Sequence, residues 1–169
     1  MTVAELSRVA DPWDLRVAFA GGGLVVCSIG PVCAAIWRTK PIPSLFEMQR
    51  RQLAAAVERA PGNAAFLCVV EAAADPPEQE LRDASAAMIA SHGRKLDACA
   101  CVIEGAGFRA AITRTVLTGI SLVARTQTPT RFFEHVSAAS AWVGDRLGRR
   151  DSILAEQVEL ARQRLATAP

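Results

Sequence analysis

No charge interrupts residues 17–37, a run of 21 flanked by Arg16 on one side and by Arg38 and Lys40 on the other. That length is enough to cross a bilayer as one helix. Gly21-Gly22-Gly23 and Gly30-Pro31 break the run at two points where a chain can reverse. Glycine adopts positive φ at little cost, and proline cannot continue a central strand. Between these breaks the β-branched residues come in strand-length pieces. The run is therefore read as extended chain. Residues 15–20 (LRVAFA) form a strand with Leu15, Val17 and Phe19 on one face, and residues 24–29 (LVVCSI) return as its hairpin partner. Residues 32–38 make a third extended piece that ends before Pro41-Ile42-Pro43. A regulator tethered to a membrane through residues 17–37 is the weaker alternative.

The rest of the chain alternates between apolar runs of strand length and stretches of helical period. Ser44 and Glu47 match a capping box, so a helix is expected from Ser44 to about Ala60, with Phe46, Leu53 and Val57 inward and Pro61-Gly62 closing it. Residues 65–71 (AFLCVVE) and 96–104 (LDACACVIE) are continuously apolar, as in strands covered on both faces. Between them a second helix begins at Pro77 and ends near His92-Gly93. After Gly105-Ala106-Gly107 a third helix of about 18 residues is expected, because Ile112, Val116, Ile120 and Val123 recur at helical spacing. A short strand over residues 131–134 follows, then a helix capped by Ser137 and bearing Trp142, Val143 and Leu147. A last helix starts at Ser152, with a stripe of Leu154, Val158, Ala161 and Leu165 that suits docking on its own domain or a homodimer seam.

This order defines an α/β fold: a mixed, mainly parallel sheet with an N-terminal β hairpin, helices packed on it, and a C-terminal helix. Residues 1–148 are read as a single domain and residues 149–169 as a helical extension.

Charge excludes one class of function. Residues 1–40 carry four basic and three acidic groups, residues 41–125 nine of each, and residues 126–169 six and five. No segment is a basic face, so binding nucleic acid by phosphate neutralisation is not expected. The start of the chain has acidic residues and no apolar core of a signal peptide, so none is expected, and the cysteine usage points to the reducing cytoplasm. Arginine outnumbers lysine 17 to 2, a bias that reads as a GC-rich bacterial genome. The cysteines, Cys27, Cys33, Cys68, Cys99 and Cys101, are odd in number and lack a Cys-x-x-Cys pair. They are expected to be reduced, mostly buried thiols, with no metal and no cofactor; Cys99 and Cys101, two apart in a strand, share a face.

The chemistry-bearing residues are sparse. His92 and His135 sit apart from any nucleophile, so no catalytic triad and no catalytic residue is assigned. Glu71 and Glu104 both end parallel strands and can approach each other at the carboxyl edge of the sheet. Glu104-Gly105-Ala106-Gly107-Phe108-Arg109 joins a buried strand to a helix start, a place where free amides favour anions and open sheets hold ligands. The candidate partner- or anion-binding residues are Glu104, Gly105, Gly107, Arg109, Thr113 and Arg114.

The strand and helix order, with CVIEGAGFRAAITRTVLTGI over residues 101–120, resembles the STAS-type anti-sigma-factor antagonist fold, specifically divergent bacterial STAS-like domains. The resemblance spans residues 15–147, with local support in residues 101–120 and 131–143. It implies a non-enzymatic regulatory domain that binds a protein partner, a kinase that also acts as an anti-sigma factor. In that family the partner phosphorylates a Ser or Thr at the start of the helix after the strand. Here the matching loop, residues 104–107, has no hydroxyl, and the nearest are Thr113 and Thr115. The alternative is a small-molecule or anion-binding protein, or a small enzyme, using the turn at residues 104–109.

Overall fold

The computed structural model describes residues 11–105, 111, 115 and 127–168. Its sheet has six strands in chain order: β1 (Leu15–Gly21), β2 (Leu24–Ile29), β3 (Val32–Trp37), β4 (Ala64–Val70), β5 (Leu96–Ile103) and β6 (Thr130–Phe133). β1, β2 and β3 pair antiparallel, and β3 through β6 run parallel. The uncharged run thus forms three strands and not one continuous helix. Among the described residues no helix is long and apolar enough to cross a membrane.

Both reversals need glycine. Gly23 has φ +84°, and a Cβ there would lie 2.1 Å from Thr39 Oγ1; Gly30 has φ +56° and would meet the Trp13 ring at 3.0 Å. The alternation expected in β1 fails at its centre, because a bulge between Val17 and Phe19 shifts the register. One inserted residue exchanges the two faces. Leu15 and Ala20 therefore pack on one side of the sheet, Phe19 on the other, and Val17 is exposed.

The helices α1 (Pro43–Arg59) and α2 (Gln79–His92) cross between parallel strands. They bury Phe46, Leu53, Val57, Leu81, Met88 and Ile89 against Val26, Trp37 and Phe66 of the sheet. On the opposite face lie α3 (Val136–Arg146) and α4 (Ile153–Thr167). There Ala34, Ala65, Ala98 and Ala100 meet Val143, Leu154 and Val158. β3 is buried along its whole length because both faces are covered. α4 lies across β1 and β2 and beside α3. Its stripe, Leu154, Val158, Ala161 and Leu165, belongs to this core, so the face expected as a possible dimer seam is covered by the chain's own sheet.

Three expected helix starts are corrected. α1 begins at Pro43, and no side chain caps it. Proline's fixed φ suits the first helical position, which moves Ser44 inside the first turn, and Glu47 pairs with Arg50 and Arg51 instead. α2 begins at Gln79, after Glu78, rather than at Pro77. α3 follows His135 without a side-chain cap, so Ser137 lies within it. The last start holds: Ser152 precedes Ile153, although its hydroxyl bonds the Glu156 carboxylate and not the backbone. The third helix expected over Ile112–Val123 lies outside the described residues, except that Ala111 and Thr115 are helical and exposed.

Candidate functional site

Ile36, Val69 and Val102 occupy equivalent places in β3, β4 and β5, all facing the α3–α4 layer. Strand alternation puts the residues two further on over the same layer. These residues are Arg38, Glu71 and Glu104. Their backbones continue the ladder past the strand ends: the Glu71 amide donates to the Trp37 carbonyl at 2.8 Å, and the Glu104 amide to the Val70 carbonyl at 3.0 Å. The two glutamates expected to approach each other at the carboxyl edge do stand on neighbouring strands there.

An arginine from a distant helix joins them. Arg162 of α4 grips Glu104 with both terminal nitrogens, Nη1 to Oε2 at 2.9 Å and Nη2 to Oε1 at 2.5 Å, and its Nη1 lies 3.6 Å from Glu71 Oε1. Arg38 grips Glu71 from the other side, Nε to Oε2 at 2.7 Å and Nη2 to Oε1 at 3.2 Å. Fork-to-fork pairs of this kind are the stronger class of charged hydrogen bond. Glu71 and Arg162 are the most enclosed members, with side chains 14% and 17% exposed. The neighbouring carboxylates, Glu104 foremost, hold the Arg162 guanidinium even more firmly protonated than usual, and Glu71 does the same for Arg38. Each carboxylate thus faces a permanent cation. The arrangement is an ion-pair clamp that fixes the edge, with Glu159 3.3 Å from Arg162 Nε on its outer side.

Around the clamp, Lys40 pairs with Glu78, Thr39 Oγ1 donates to the Gly22 carbonyl at 3.2 Å, and Ile42 stands 46% exposed. Gly105 takes φ +105°, and a Cβ there would come within 3.3 Å of Ala72 Cβ, so the loops after β4 and β5 pack together. Of the expected binding residues, Glu104 and Gly105 lie at this edge, while Gly107, Arg109, Thr113 and Arg114 lie outside the described residues. Thr115 donates its hydroxyl to the Ala111 carbonyl at 2.9 Å. Arg162 was missed because Glu159 and Arg162 stand three apart, a spacing that reads as a solvent-facing helix pair.

A cleft of about 510 Å³ opens at the opposite edge of the sheet. Trp13, Asp14, Arg16, Ser28 and Arg59 line it. Arg59 Nη2 donates to Ser28 Oγ at 3.4 Å, and neither arginine forms an ion pair among the described residues. Sequence reasoning overlooked this site because its residues come from three separate segments.

Compared with known proteins, the chain matches no family model and no curated protein.

Proposed function

We propose that this chain is a non-enzymatic regulatory domain that binds another protein at the carboxyl edge of its parallel strands, as its resemblance to anti-sigma-factor antagonists implies. The clamp of Arg38, Glu71, Arg162 and Glu104 carries this reading, because it pairs both carboxylates with arginines and builds a fixed surface from them. Exposed Ile42, with Arg38 and Lys40 just before it in the chain, supplies an apolar anchor with a charged rim, the composition of a protein contact. Arg109, which lies outside the described residues, is read from the sequence as a fork for a partner's carboxylates, and Ala106 leaves the loop sequence without the hydroxyl that the family phosphorylates. The partner class is a kinase of anti-sigma type, and binding here is independent of phosphate on the loop.

Co-purification from the cells that make the protein tests this directly. An identified kinase or sigma regulator should bind the wild type and lose about tenfold or more in affinity, about 1.4 kcal/mol, to Ile42→Asp and to Arg109→Glu. If both variants keep every identified partner, the surface is wrong. Intact-mass analysis of the native protein should find no phosphate; phosphate on Thr113 or Thr115 would show that the switch has moved along the helix.

The cleft at the opposite edge favours a second role, binding a small anion. Arg16 and Arg59 offer two guanidinium groups and Ser28 a hydroxyl around one opening. Calorimetric titration with inorganic phosphate and with a short dicarboxylate should show saturable binding that Arg59→Ala removes; no heat with either ligand would end this reading.

A further inference from the structure

The five thiols divide into two kinds. Cys27 and Cys33 are buried in the sheet, and burial pushes Cys27 up to about 12 and raises Cys33 as well. Cys68, Cys99 and Cys101 form a group on the central strands. Parallel pairing of β4 and β5 sets Cys68 directly opposite Cys101, and Cys99 lies two residues earlier on the same face. Cys99 has no exposed surface, whereas Cys68 and Cys101 are partly exposed. These two thiols line a cavity of about 70 Å³ between the sheet and α1 and α2, walled by Trp37, Phe46, Phe66 and Met88. A single water needs roughly 10–15 Å³ of such space, so the cavity admits small molecules only.

We propose that Cys68 and Cys101 are a dithiol site oxidised by small hydroperoxides. The pairing of the two thiols across β4 and β5 and their shared position on the cavity wall carry this reading. Cys101 is the attacking sulfur. It stands between the other two, opposite Cys68 on β4 and two residues after Cys99 on the same face; the proximity of Cys68 and Cys99 lowers its thiol from the ordinary range, and proximity to Cys101, then burial, raises theirs. The thiolate, not the thiol, is the nucleophile.

In the first step the Cys101 thiolate attacks one peroxide oxygen. The S–O bond forms, the O–O bond breaks, and the departing oxygen takes a proton and leaves as water or an alcohol. Cys101 is then a sulfenic acid. In the second step the Cys68 sulfur attacks the Cys101 sulfur. The S–S bond forms, the S–O bond breaks, and the hydroxyl leaves with the Cys68 proton as water. Two thiols lose two electrons, and one peroxide gains them.

Cys68 is the resolving partner because adjacent strands lie about 4.8 Å apart, well inside the Cα separation of about 4.4–6.8 Å that a disulfide spans. Cys99 lies two strand residues from Cys101, about 6.6 Å along the chain, at the outer limit and with its side chain parallel.

The test treats the folded full chain with stoichiometric hydrogen peroxide, followed by intact-mass and peptide mapping. The expected product has lost two hydrogens, carries a Cys68–Cys101 linkage, retains three titratable thiols, and returns to the starting mass with dithiothreitol. Cys68→Ser should stop at a Cys101 sulfenic acid that dimedone traps, and Cys27→Ser should react like the wild type. Cys101 should be modified at least about tenfold faster than Cys27 or Cys33. Oxidation only after urea, a Cys99–Cys101 linkage, or equal rates at all five cysteines would overturn the proposal. The mapping on unmodified protein decides even if a variant fails to fold.

Discussion

Replacing Arg162 with methionine isolates the clamp. Methionine keeps an unbranched apolar stem and removes the charged fork. The loss comprises two charged hydrogen bonds to Glu104, at 2.9 and 2.5 Å, the 3.6 Å approach to Glu71 and the 3.3 Å pair with the more exposed Glu159. Hydrogen bonds to charged groups contribute about 1.5–3 kcal/mol each, and a fully buried pair broken on one side costs about 3–5 kcal/mol. The Arg162 side chain is 17% exposed and that of Glu104 25%. Water compensates part of the loss, so Arg162→Met should destabilise the fold by about 2–3 kcal/mol, equivalent to about 4–12 °C in Tm for a chain of this size. Urea unfolding followed by circular dichroism should show a lower midpoint at unchanged slope. Glu104→Leu should also destabilise. The double variant Arg162→Met/Glu104→Leu should lose less than the sum of the two, with a coupling of about 1.5 kcal/mol or more. A coupling under about 0.5 kcal/mol, or an Arg162→Met midpoint equal to that of the wild type, would refute the clamp as a structural element.

Three other perturbations have distinct signatures. Gly30→Ala forces a side chain to φ +56° against the Trp13 ring at 3.0 Å, and it should cost about 1–3 kcal/mol in urea unfolding. Arg149 holds the Asp11 carboxyl down at about 2, below its ordinary 3.8, so unfolding takes up a proton between those values. Stability should therefore fall as pH drops through that window, and Asp11→Asn should flatten the decline in urea midpoints measured from pH 5 to pH 2, about the span over which such a carboxylate titrates. Leu154→Ala, at a fully buried position of α4, should cost about 2–5 kcal/mol, whereas Leu160→Ala, on its exposed side, should change stability by under about 0.5 kcal/mol; equal effects would mean that α4 is a loose appendage.

What could be read from the sequence was local. The reversals at Gly23 and Gly30 announced themselves because only glycine tolerates those angles and contacts, and unbroken apolar runs marked β4 and β5 as strands covered on both faces. Glu71 and Glu104 were placed at one edge by counting to the ends of those strands. Arg162 could not be, since its partner lies 58 residues away and nothing in α4 itself distinguishes a buried fork from a solvated one. The bulge in β1 depends on pairing with β2, not on any residue type. The Ser44 capping box was a correct motif displaced by one stronger constraint, Pro43 at the helix start. The thiol cluster was half legible: sharing of a face by Cys99 and Cys101 follows from strand period, while the neighbour Cys68 follows only from the β4–β5 register.

The clamp joins parts of the chain that are made at different times. Synthesis adds about 5–20 residues per second, so the 58 residues from Glu104 to Arg162 separate the appearance of the two partners by about 3–12 s. During that interval β4 and β5 can pair, yet Glu71 and Glu104 stand on neighbouring strand ends without the cation they share, and α4 has not yet covered β1 and β2. A nascent chain thus carries an unfinished edge, one that any surface complementary to two carboxylates could occupy first. The arrival of α4 is the event that closes it, which makes this helix the checkpoint between a partly folded sheet and a finished one.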